Sequence, residues 1–129
     1  MADTDNDDEL ILGALECYQR AIRRVAADFA GRGATVQPWG VDLDAPDLLI
    51  VHYRTPGRES CLGSLPVTRD VEQAVVELAD VLQEKEFSEG DTSWPGCAAG
   101  DTHPPRAALV NGVAHWQCPQ SQAPLFRIG

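Results

Sequence analysis

Residues 106–119 read RAALVNGVAHWQCP. Asn111-Gly112 stands between two apolar runs. A two-residue type I′ turn needs positive φ at both central positions, which Asn and Gly tolerate best. The turn sets a hairpin register in which Val110 opposes Val113, Leu109 opposes Ala114, Ala108 opposes His115 and Ala107 opposes Trp116. Continued outward, Arg106 meets Gln117 and Pro105 meets Cys118. Side chains alternate faces along a strand. Leu109, Ala114, Ala107, Trp116, Pro105 and Cys118 therefore share one side, which is expected to face the core. Val110, Val113, Ala108, His115, Arg106 and Gln117 share the other, so His115 is expected to point outward beside Arg106.

Upstream of the hairpin, apolar residues from Leu10 to Phe29 recur at spacings of three and four. That period predicts a helix over Asp7–Ala30, with Asn6 as N-cap and carboxylates in the first turn. Met1–Asp5 lacks an apolar anchor and reads as a flexible tail, leaving residues 6–129 as one domain. Ala34–Trp39 suggests an edge strand, because Pro38 cannot donate to a ladder. The next residues, VDLDAPD, read as a loop. Asp47–Arg54, DLLIVHYR, is an apolar run of strand length. Thr55–Arg58 carries Pro-Gly at its centre and predicts a turn, and Glu59–Leu65 returns as a third strand. Thr68 caps a second helix with Val71, Ala74, Val75, Leu78, Val81 and Leu82 inside, and with Glu72, Glu77, Asp80, Glu84 and Glu86 outside. Ser88–Asp101 is a long loop, a feature that tends to be functional or disordered.

The order α-β-β-β-α-β-β predicts an α+β fold of two layers. An antiparallel sheet, extended or capped by the hairpin, carries both helices on one face.

The 129 residues carry a net charge of −10, with a sequence pI near 4.5. A polyanion needs a basic footprint on its binding protein, and none is present beyond Arg23-Arg24, so nucleic acid and anionic membrane surfaces are not expected partners. No apolar run reaches the roughly 20 residues of a membrane-spanning helix. The acidic start, MADTDNDDEL, lacks the basic and apolar regions of a secretory signal, which suggests a cytoplasmic protein with reduced thiols.

Trp94–Pro119 concentrates Cys97, His103, His115 and Cys118. His115 and Cys118 lie on opposite faces of a regular strand and cannot share one tetrahedral ion. The metal-ligating set left is Cys97, His103 and Cys118, with the fourth ligand absent or supplied by Asp101, Cys61 or water, and zinc is an ion that accepts such N/S donors. A Cys97–Cys118 disulfide and simple packing of buried thiols are the alternatives. Elsewhere, Cys61, His52 and Asp47 could supply nucleophile, base and orienting group, but no local signature accompanies them. Asp42, Asp44 and Asp47 space three carboxylates without the glycine or distal glutamate of a calcium loop. Gly31-Arg32-Gly33 follows a helix, the wrong context for cradling phosphate.

The arrangement Trp94-Pro95-x-Cys97, His103-Pro104, Trp116-x-Cys118-Pro119 resembles that of small actinobacterial proteins, a likeness that implies family membership and no activity. The element order is similar to that of small acidic secretion chaperones. Together these features lead us to expect a non-enzymatic, acidic protein-interaction module, adaptor-like, chaperone-like or immunity-like. Its partner would be another protein, basic by charge complementarity, or a second copy in a homodimer. The alternatives are a zinc-stabilised small domain and a small-ligand-binding protein or enzyme.

Overall fold

The computed structural model describes residues 2–96 and 104–129. Its elements run α1 (Ala2–Gly31), β1 (Gln37–Ala45), β2 (Leu48–Thr55), β3 (Arg58–Leu62), α2 (Val71–Ser88), β4 (Arg106–Val110), β5 (Val113–Gln117) and β6 (Pro124–Arg127). The α+β class and the order of elements through β5 are those read from the sequence. The strands form two antiparallel sheets, β1-β2-β3 and β4-β5-β6. The hairpin thus starts a sheet of its own and does not pair with the first. Its extra strand, β6, lays Phe126 opposite Trp116 and Arg127 opposite His115. Four residues starting at a proline give too short a pattern for β6 to be read in advance.

The hairpin register is the one the Asn-Gly turn dictates, from Val110↔Val113 to Arg106↔Gln117. Asn111 has φ 53° and Gly112 φ 79°. Ala114, Trp116 and Cys118 are buried, while Leu109, at the hairpin tip, is exposed despite sharing their side.

Several boundaries differ from expectation: β3 spans Arg58–Leu62 and not Glu59–Leu65, and β1 starts at Gln37 and not Ala34. Helix α1 begins at Ala2 and not Asp7, so Asn6 is helical and not a cap. Strand β1 runs through Val41-Asp42-Leu43-Asp44-Ala45, which was read as a loop. Val41 is buried and Leu43 partly buried, whereas Asp42 and Asp44 are exposed, the period-two alternation of a half-covered strand. Helix α2 is capped by Asp70 and not Thr68. Asp70 Oδ1 accepts from Glu72 N at 3.0 Å, and Thr68 Oγ1 accepts from Asp70 N at 3.2 Å.

α1 packs on β1 and α2, and α2 packs on β4 and β5, so the helix pair joins the sheets. One core results, built on Tyr18, Val25 and Phe29 of α1, Leu49 and Val51 of β2, Leu78 and Leu82 of α2, Trp116 of β5, and Ile128. Trp94 sits 4.4 Å from the Phe29 ring and 5.4 Å, edge-on, from that of Trp116.

Polar groups inside this core are paired. Asp28 Oδ2 accepts from Trp116 Nε1 at 2.8 Å, and its Oδ1 accepts from Arg32 Nε at 3.0 Å and Gly129 N at 3.3 Å. Arg24 is ion-paired with Glu72 and donates to the Ile128 carbonyl, while Glu72 Oε1 accepts from Ala114 N at 2.9 Å. Gly129 has φ 88°, and a Cβ there would fall 2.6 Å from that of Arg24, so only glycine fits. Glu86, expected on the wet face of α2, is 1% exposed. Its carboxylate accepts from Thr35 N at 2.9 Å and Val36 N at 2.8 Å, tying α2 to the start of β1.

Glu86→Ala strands the buried Val36 amide, at a cost of about 1–3 kcal/mol, and the partly buried Thr35 amide. Its denaturation midpoint is expected to fall steeply, whereas Glu84→Ala, on the exposed face of α2, should leave the midpoint nearly unchanged. A second outcome concerns acid. The Arg24 hydrogen bond holds the Glu72 carboxyl below its ordinary 4.5, against partial burial, which raises it. A depressed carboxyl stabilises the fold above its unfolded value and loses that contribution as pH falls through the folded one. The stability advantage of wild type over Glu72→Gln should therefore shrink on acidification below about 4.5, followed by urea unfolding at stepped pH.

Candidate protein-binding face

β2 alternates. Leu49, Val51 and Tyr53 enter the core, which turns Ile50, His52 and Arg54 to the opposite, outer face. β3 places Cys61 opposite His52 and Glu59 opposite Arg54 on that face. On β1, the register shift between Pro38 and Gly40 leaves Trp39 at a bulge. Its ring stacks on His52 at 4.8 Å and 23°, and the Arg54 guanidinium lies 5.6 Å from its centroid while ion-paired with Glu59. Trp39 remains 50% exposed. Stacking and cation–π contacts thus hold a large aromatic ring in place in the open.

Beyond the β1–β2 turn, Leu43 and Pro46 meet Ile11 and Leu12 of α1 around an apolar cleft of about 250 Å³. A second cleft, about 310 Å³, lies where Arg127 and Gly129 approach the end of α1. Its Asp28 and Arg32 are bonded to each other, and Arg32 stacks over Phe126 at 4.3 Å.

The residues singled out in the sequence are dispersed. Cys118 is buried on the core side, as the hairpin register requires. Cys97, His103 and Asp101 lie outside the described residues. His115 points away from the core, its Nδ1 2.9 Å from the Val113 carbonyl. Cys61 belongs to the first sheet. Among the described residues, no three His, Cys, Asp or Glu side chains are grouped to hold a metal ion. His52 and Cys61 are cross-strand neighbours, but Asp47 precedes β2, about 17 Å from His52 at strand spacing, so the three do not form a triad. Tyr53 is buried and borders a depression with Ser60 and Lys85, a lining that does not include His52 or Cys61. Asp42 and Asp44 project from a strand, and Asp47 lies in the turn.

Sequence reasoning passed over two features. Trp39 was read only as part of an edge strand, although a tryptophan between Pro38 and Gly40 marks a bulge. Gln83, 5% exposed on α2, donates to the carbonyls of Trp94 at 3.0 Å and Pro105 at 2.6 Å, and so ties the residues flanking segment 97–103 to one amide. No periodic pattern singles it out.

No family model, curated protein or solved structure matches the chain.

The thiols differ in accessibility. Cys61 is exposed, whereas Cys17 is buried, and burial, with the nearby Asp70 charge, pushes its thiol up. Iodoacetamide at neutral pH is expected to modify Cys61 in the folded protein and Cys17 only after unfolding, as mapped by peptide mass spectrometry.

Proposed function

We propose that the chain is a non-enzymatic, acidic protein-interaction module, adaptor-like or chaperone-like, which docks a partner protein on the outer face of β1-β2-β3. The observation that carries this reading is Trp39, half exposed yet fixed by His52 and Arg54. Rigid, exposed aromatic rings flanked by arginine are the usual energetic centres of protein interfaces. Immobilising the ring beforehand lowers the entropy lost on binding. The net charge of −10 favours a basic partner over nucleic acid or an anionic membrane. No helix among the described residues is long and apolar enough to cross a membrane. In this reading the protein works in the cytoplasm.

Trp39→Ala removes the anchor without touching the core. Its thermal midpoint should match wild type, while proteins retained from a cytoplasmic extract of the source cell by immobilised wild type should be lost from the variant. An unchanged set of retained proteins would sink the reading. A wild-type dimer in light scattering that becomes monomeric with Trp39→Ala would make a second copy the occupant.

A second reading, zinc held by Cys97, His103 and Cys118, is favoured by two placements. Gln83 gathers the flanks of the segment that carries Cys97 and His103, and Cys118 sits inward at the end of β5. Structural zinc binds tightly enough to survive purification, so less than about a tenth of an equivalent by elemental analysis removes this alternative.

A further inference from the structure

The apolar cleft beyond the β1–β2 turn has a chemistry distinct from that around Trp39. Leu12 lines it and is 57% exposed. Large aliphatic groups that stand in water on an otherwise polar helix mark a surface that gains by being covered.

The surroundings say what could cover it. Glu9 and Glu16 lie three residues before and four after Leu12, so they share its helix face, and both are exposed. Across the cleft, Asp44 sits at the register irregularity that ends β1 and Asp47 follows Pro46, both exposed, while Asp42, paired with Ile50, projects from the other face of the strand. The two segments that build this end, residues 1–19 and 33–53, contain no lysine or arginine. A small apolar depression is thus bordered by carboxylates on both sides, whereas the guanidinium groups of Arg20 and Arg69 line a separate pocket with Gly13 and Glu16.

We infer that this cleft receives a basic amphipathic peptide segment of a partner protein, with an aliphatic or aromatic side chain entering between Leu12 and Leu43 and lysines or arginines meeting the rim. The inference rests on the reading of the chain as a protein-interaction module and names the partner's chemistry and where it seats. Apolar contact supplies the anchor, and the one-signed rim steers a cationic segment toward it. A second copy of the same chain is disfavoured here, because it would bring like-charged rims together. Anionic lipid and nucleic acid are repelled for the same reason.

Three synthetic peptides test this by fluorescence anisotropy on the full chain. One alternates lysine and leucine at helical spacing, one replaces every leucine with serine, and one replaces every lysine with glutamate. The Lys-Leu peptide is expected to bind at least about tenfold more tightly than either of the others, as expected when apolar and charge complementarity are both needed. Leu12→Ser, at a position already exposed, should weaken that binding about tenfold, the scale of losing an interface anchor. Asp44→Asn with Asp47→Asn should weaken it and flatten its salt dependence, since exposed charge pairs are screened beyond about 10 Å at 0.1 M salt. Circular dichroism confirms that both variants keep the fold. Equal binding of the Lys-Ser peptide, indifference to Leu12→Ser, or a dimer that Leu12→Ser dissociates would each overturn the assignment. Its failure is separable from that of the wider reading. If Leu12→Ser is silent while Trp39→Ala abolishes capture, the cleft is wrong and the module stands. If Leu12→Ser abolishes peptide binding while Trp39→Ala is silent in capture, the outer face is wrong and the cleft stands.

Discussion

A single carboxylate, that of Asp28, holds the two halves of this fold on one helix. It is 7% exposed and would be costly to bury alone. Donors from three different places meet it, namely the indole of Trp116, the guanidinium of Arg32 one turn further along α1, and the backbone amide of Gly129. The indole comes from the second sheet, while α1 itself lies on the first. One turn earlier, Arg24 repeats the arrangement with opposite charge, reaching Glu72 of α2 and the Ile128 carbonyl. Hydrophobic burial alone is indifferent to the rotation of a sheet about a helix. Directional bonds of this kind fix the angle, and with it the placement of every side chain on the far surfaces.

The fixed arrangement divides the molecule by chemistry. Between the sheets lies an apolar interior whose buried charges all have partners. On the outer side of β1-β2-β3 lies a mixed surface of ring, imidazole, guanidinium and thiol. The end where α1 starts and β1 turns into β2 carries leucines amid carboxylates. Of the ten basic residues, Arg24, Arg32 and Arg54 are already engaged with carboxylates, and Arg69 lies beside Gly13 of α1. The excess negative charge is therefore uneven, and one end holds much of it.

How far the sequence discloses this depends on the range of the forces involved. The Asn111-Gly112 hairpin was fully legible, because φ at two adjacent residues sets a register with no outside help. The helical stripes were legible for the same local reason, except at their ends, where Asp70 outcompeted Thr68 as a cap. The strand through Asp42 and Asp44 was missed because acidic residues were read as loop formers, although their alternation with Val41 and Leu43 already spelled a half-covered strand. Glu86 was misassigned by residue type. It stands four residues after Leu82 and eight after Leu78, on the buried stripe that Glu84 does not share, but only the approach of Thr35 and Val36, some fifty residues away, explains how a carboxylate is held there. The Trp39 surface was hidden for a like reason, since its neighbours His52 and Arg54 come from another strand.

The three tryptophans divide between these regions. Trp94 and Trp116 are enclosed in the core, within 5.4 Å of each other, while Trp39 stands in solvent. Indole emission shifts to longer wavelength as its surroundings become more polar. The chain therefore contains two intrinsic optical channels, a blue one set by whether the interior is assembled and a red one set by what touches the outside. Red-edge excitation, or quenching by iodide, would address the second and leave the first untouched, so that occupancy of the surface and integrity of the fold could be watched at once in an unlabelled protein.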